Sequence, residues 1–136
     1  MSEANVEVIR AAYSASNARE MDRLRTYFDP DVVHRAAECA LDDFGELHGI
    51  DALFAYYQDW IDLFDDLQAE LLELREAGDD RVVARVRNHG HANKSGVPTE
   101  LQYAVVYRLR DGLVVESQEY LEFDQALATA GLPAQT

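Results

Sequence analysis

The side chains of this sequence that could do chemistry are few: Glu119, His34, the pair His89 and His91, and a scatter of tyrosines. Glu119 is a carboxylate inside LVVESQEYLEF (113–123), a stretch that alternates as a strand does. A carboxylate held between apolar walls accepts a proton more readily than one in water, which is what a general base needs. His34 stands in VVHRAA (32–37), two residues from both Val32 and Ala36, so the three share one face of a strand. Imidazole gains and loses a proton near neutral pH, so His34 could shuttle one with Glu119 or Glu38. The competing reading makes His34 a hydrogen-bonded core residue and Glu119 a satisfied or rim carboxylate. His89 and His91 also share a face, enough for two ligands of a metal. Arg85 and Arg87 lie on that same face and repel a cation, and no third ligand accompanies them. No Ser-His-Asp order, phosphate-cradling glycine loop, nucleophile elbow or zinc motif is present, so neither a metal nor another cofactor is expected.

The elements that must position these groups fall into two blocks. Val6, Ile9 and Tyr13 form an apolar stripe on a helix of about residues 3–17. Met21, Leu24 and Phe28 form a shorter one, ended by Asp29-Pro30. A strand at 32–37 and a turn over Leu41–Gly45 lead to the clearest helix. There Ile50, Leu53, Phe54, Tyr57, Trp60, Ile61 and Phe64 keep helical spacing over four turns. Segment 67–76 reads either way: Leu67, Leu71 and Leu74 suit a helix, while Leu67, Ala69 and Leu71 alternate, with a phase slip at Leu71-Leu72. Long strands follow at 81–91, 99–110 and 113–123, the last two joined by Asp111-Gly112, a strong hairpin signal. Asp124 can N-cap a last helix, Gln125–Ala130, closed by Gly131. Helices first and antiparallel strands after make an α+β fold, with helices on one face of a curved sheet.

Composition narrows the function classes. The 136 residues hold 12 Lys+Arg against 26 Asp+Glu, a net charge of −14. That length suits one domain, residues 1–136, and the acidity argues against a nucleic-acid binder. No apolar run approaches the roughly 18–20 residues that span a bilayer. The opening MSEANVEVIR lacks the basic and apolar regions of a signal peptide, so no membrane partner and a cytoplasmic location are expected. Cys39 stands alone, which excludes an internal disulfide. Acids crowd residues 51–76 and bases residues 77–110, a pattern of solvated faces and cross-strand ion pairs.

A family resemblance is carried by Tyr13…Asn17…Met21-Asp22, Phe28-Asp29-Pro30-Asp31-Val32, Leu47-His48-Gly49-Ile50 and Trp60…Phe64-Asp65-Asp66. Its most distinctive parts are Val106-Tyr107-Arg108-Leu109-Arg110-Asp111-Gly112 and Glu119-Tyr120-Leu121…Ala126-Leu127…Ala130-Gly131-Leu132. In order and spacing these resemble the SnoaL-like branch of the nuclear transport factor 2-like superfamily, which also includes ketosteroid isomerases and polyketide cyclases. The resemblance implies a cone: a curved mixed sheet wrapped around three N-terminal helices, with a short C-terminal helix, a pocket and usually a homodimer. It makes 67–76 a strand. It turns Val82, Ala84, Val86 and Asn88 inward, likewise Tyr103, Val105, Tyr107 and Leu109, and likewise Val115, Ser117, Glu119 and Leu121. SnoaL-like cyclases place an acidic base on that last strand, which favours Glu119.

Ketosteroid isomerisation is not expected. The family's base, tyrosine and aspartate fall at Ala36, Ala12 and near Val105, and Tyr13 is roughly 100° around the helix from the needed position. The expected function is to bind a small hydrophobic molecule in an apolar pocket lined by Tyr57, Trp60, Phe64, Asn88, Tyr103, Tyr107 and Ser117. Cofactor-independent isomerase or cyclase chemistry would use Glu119 as base with His34 or Tyr107 as partner. The alternative is a non-catalytic ligand-binding or dimerisation module. Trp60 is expected to be largely buried, and a homodimer is expected through the outer sheet face, where Arg85, Arg87 and His89 would meet acidic partners.

Overall fold

The computed structural model describes residues 2–37 and 45–134. Glu38, Cys39 and most of the turn expected over Leu41–Gly45 lie outside the described residues. The chain runs α1 (Ser2–Asn17), α2 (Met21–Arg25), β1 (Phe28–Arg35), β2 (Glu46–His48), α3 (Ile50–Asp62), β3 (Gln68–Ala77), β4 (Arg81–His91), β5 (Pro98–Arg110), β6 (Leu113–Tyr120) and α4 (Phe123–Thr129). The six strands form one sheet in the order β2-β1-β6-β5-β4-β3, curved and unclosed. Among the described strands, β1–β6 is the one parallel pair. The architecture is α+β.

Alternation decides which residues face the helices. Val82, Ala84 and Val86 of β4 join Val105, Tyr107 and Leu109 of β5 in a core with Ile9 and Ala12 of α1 and Leu53 and Phe54 of α3. The opposite residues, Val83, Ala104 and Val106, pack on Ala126 and Leu127 of α4. The helices therefore do not share one face: α4 covers the outer side of the sheet. It closes as the sequence suggests, with Gly131 at φ +80° and Leu132 N–H donating to Leu127 O at 2.8 Å. Its N-cap is Glu122 rather than Asp124, and no side chain caps it.

Two bulges set the register. Leu71 faces Val86 and Glu73 faces Arg85, so Leu72 is an extra residue, and it is 40% exposed. The phase slip at Leu71-Leu72 is this bulge: Ala69 and Leu71 before it and Leu74 after it all pack on the core. On β6, Glu116 faces Arg108 and Val114 faces Leu109, so Val115 is the extra residue. This corrects the simple alternation, because Val114 joins the inner core in place of Val115. Phe28 belongs to β1 rather than to the second helix, which ends at Arg25. The edge strand β2 was not expected; it pairs Leu47 with His34.

The arginines of the basic row on the outer face find partners in their own chain. Arg87 bonds Glu70 at 2.7 Å and Glu100 at 2.8 Å, while the Arg85 guanidinium lies 5.5 Å from the Phe123 ring centre. Arg87 is thus neutralised within its own chain.

Candidate functional site

Between α1, α3 and the inner sheet face lies a cavity of about 730 Å³, walled mostly by apolar and aromatic side chains. That is within the size range of small-molecule sites. Asn17 ties its floor together, with its amide donating to Ala69 O and accepting from Ala69 N–H, both at 2.8 Å. The end of α1 is thereby fixed to β3.

One wall carries a line of four hydrogen-bonded groups. Parallel pairing sets His34 opposite Ser117, and Glu119 follows two residues later on the same face. His34 Nδ1 lies 2.6 Å from Ser117 Oγ, and Nε2 lies 2.9 Å from Glu119 Oε2. Tyr56, one turn beyond the fully buried Leu53 on α3, donates its hydroxyl to Glu119 at 3.0 Å (Oε2) and 3.3 Å (Oε1). An ionised carboxylate only accepts, so Nε2 carries a proton. Ser117 is fully buried, and His34 Nδ1 is its side chain's partner among the described residues, so its hydroxyl proton goes to Nδ1. Hydrogen counting therefore assigns His34 as the neutral Nε2–H tautomer.

The order Ser117, His34, Glu119 has the parts of a nucleophile triad, with Ser117 and Glu119 from β6 and His34 from β1. Ser117 is sealed behind the imidazole and is not among the cavity-lining residues, which removes it as a nucleophile. Glu119 and His34 do line the cavity. The arrangement can hold a carboxylate still and present it to a bound molecule.

A second polar group is phenolic. Tyr13 and Tyr107 hydroxyls approach to 2.5 Å, with their rings edge to face. Two hydroxyls sharing one hydrogen bond leave one O–H to donate elsewhere. Tyr103 donates to Asn88 Oδ1 at 3.3 Å. Burial pushes the Tyr13, Tyr57, Tyr103 and Tyr107 phenols up, so all four stay neutral donors; at Tyr107 the bond to Tyr13 pulls the other way.

Tyr57, Trp60, Asn88, Tyr103 and Tyr107 line the cavity, whereas Phe64 and Ser117 do not. Phe64 instead stacks on Trp60, 6.4 Å between ring centres, and bridges to Ala92. Most of Trp60 is buried, as expected, and the part left open borders the cavity. Sequence reasoning missed Tyr56 and set Tyr13 aside. Tyr56 sits three residues after Leu53 and four before Trp60, so helical spacing alone marks it as facing inward. At the three isomerase positions, Ala12 and Val105 line the cavity and Ala36 is buried without lining it.

Among the described residues, no helix is long and apolar enough to cross a membrane. Nor do they contain a group of three or more His, Cys, Asp or Glu able to hold a metal ion.

Comparison with known proteins adds the following. The family model for the SnoaL-like domain matches residues 9–117. The Bal32a protein from a soil-derived mobile gene cassette is 25% identical, with TM-score 0.77, over 88% of this chain and 89% of its own. A Catenulispora acidiphila protein with a ketosteroid isomerase-like fold, in complex with trimethylamine, is 20% identical with TM-score 0.71, covering 93% and 94%. A Mycobacterium tuberculosis protein in complex with estradiol-17β-hemisuccinate is 16% identical with TM-score 0.74, covering 86% and 92%. No curated protein matches the chain in sequence.

Proposed function

The chain belongs to the SnoaL-like domain family and has the nuclear transport factor 2-like fold; on that premise we propose that it binds a small apolar molecule and moves a proton on it, with Glu119 as base. The observation that carries this reading is a carboxylate in the wall of a mostly apolar cavity of about 730 Å³, held by the His34 N–H and the Tyr56 O–H. Glu119 would take a proton from an acidic C–H of the ligand; returning it at another carbon is an isomerisation. In a ring closure the carbanion instead bonds to a carbonyl carbon of the same molecule, the C=O π bond opens, and the proton is returned to that oxygen. The free O–H of the Tyr13–Tyr107 pair would donate to the ligand oxygen on which charge develops. Solved proteins of this fold hold ligands as unlike as trimethylamine and a steroid hemisuccinate, so the lining of this cavity, rather than the fold, must choose.

The test is hydrogen exchange into a panel of ring ketones in D2O, followed by NMR. Wild type should speed exchange at the carbon beside the carbonyl, and Glu119→Gln should lose about a hundredfold or more of that acceleration. A second reading, binding without chemistry, is favoured by the two donors already on Glu119 Oε2. It is the outcome if ketones bind but wild type and Glu119→Gln exchange them alike.

A further inference from the structure

Five tyrosines, Trp60 and Phe28 line the cavity. Its charged lining residues are Glu119, Asp59 and Arg19, with His34 neutral by hydrogen counting. Asp59 and Arg19 are exposed and of opposite sign. Arg19 is also turned to backbone, donating to Ser16 O at 3.0 Å and Leu67 O at 2.5 Å. Among the described lining residues, Glu119, with a side chain 16% exposed, is therefore the inner charge that faces no guanidinium or ammonium, its partners being the His34 N–H and the Tyr56 O–H. Its field reaches Tyr57, Tyr103 and Tyr107, whose phenols it helps to keep protonated, and all three line the same cavity. Aromatic faces carry negative potential, and the chain's net charge of −14 adds a long-range field of the same sign.

We propose that the cavity's ligand is a cation, an apolar amine or quaternary ammonium whose charge sits against Glu119 among the aromatic rings. This rests on the reading that the cavity binds a small apolar molecule and assigns that molecule its charge. An anion would meet like charge from Glu119 at close range in a low-dielectric site. A neutral molecule would forgo both the carboxylate and the ring quadrupoles.

Phenyltrimethylammonium and tert-butylbenzene have the same shape and differ by one charge. Titration of each is followed by the fluorescence of Trp60, the single tryptophan and a lining residue. Wild type should bind the cation at least about tenfold more tightly than the hydrocarbon. Glu119→Gln keeps the size and an acceptor for Tyr56 and His34, and should cut the cation preference severalfold, leaving only what the rings supply, with the affinity for tert-butylbenzene little changed. Asp59→Asn, which removes the rim carboxylate, should leave the preference in place. Equal affinities in wild type, or tighter binding of the hydrocarbon, would overturn the charge assignment while leaving the apolar-pocket reading intact. A cation preference that Glu119→Gln leaves undiminished, or that Asp59→Asn abolishes, would also overturn it. Binding of neither probe would sink the pocket reading and this inference with it.

Discussion

His34 reaches Ser117 and Glu119 at once because β1 runs parallel to β6: Ser117 is its direct register partner, and Glu119 lies one pleat further along the same face. Both ring nitrogens are thus engaged, and the imidazole is fixed in tautomer and orientation. What the ring does for Glu119 depends on that fixation, which a buried hydroxyl supplies from behind.

Ser117→Ala removes that hydroxyl from a fully buried position and takes from His34 Nδ1 its Ser117 donor. Removing one partner from a buried hydrogen bond costs about 1–3 kcal/mol. The denaturation midpoint should fall accordingly, while Nε2 keeps its proton against Glu119 and the nitrogen-15 signal of Nδ1 should move as its hydroxyl donor is lost. A variant with unchanged stability and an unchanged Nδ1 signal would refute the hydrogen counting.

Trp60→Ala should destabilise by less than the roughly 3–5 kcal/mol that removing a fully enclosed tryptophan costs. The indole is mostly but not fully buried, stacks on Phe64 and borders the cavity, so removing it enlarges an existing space. Ligand affinity should fall by a larger factor than stability. A loss above that range, measured by urea denaturation, would place the ring back in a closed core.

Much of this frame is legible in the residues because local and global preferences agree. Asp111 and Gly112 take φ of +54° and +77°, as their hairpin signal requires, and RVVARVRNHGH is β4 from end to end. The slip at Leu71-Leu72 was already visible, since a bulge breaks alternation in the sequence as it does in the sheet. The bulge at Val115 was not visible: Val114 and Val115 are both valine, so swapping which one faces inward leaves no trace in the pattern. Tyr56 and Tyr57 are neighbours about 100° apart, and an apolar stripe is wide enough to take both. Periodicity says that each faces inward; only the crossing of α3 over β1 and β6 decides which hydroxyl meets Glu119. A three-residue edge strand such as β2 is too short to show any period.

Self-association is expected to follow the family pattern, as a homodimer at micromolar concentration by light scattering. Arg87→Ala should leave that assembly intact, because Glu70 and Glu100 of the same chain already hold its guanidinium. Dissociation of the Arg87→Ala dimer would show that the charged outer row forms the contact after all. A monomeric wild type would remove the dimer.

The buried phenols set an alkaline limit on stability. Burial raises the folded-state pKa of Tyr13, Tyr57, Tyr103 and Tyr107 above the unfolded-chain value of 10.0. Above pH 10.0 the unfolded chain gives up protons that the native state keeps, so unfolding becomes easier as pH rises. The stabilisation from keeping these phenols neutral is whole below that pH and is lost as pH climbs towards the folded values. In an absorbance titration at the phenolate band, these four of the seven tyrosines should stay silent through the range of an ordinary phenol. They should then ionise together, in step with loss of the far-ultraviolet circular dichroism. Tyr13→Phe should shift that transition to higher pH, because one buried proton fewer is at stake, while costing about 1 kcal/mol at neutral pH for the bond to Tyr107. Seven tyrosines titrating as one smooth wave near pH 10 in a still-folded protein would show that water reaches the Tyr13–Tyr107 pair.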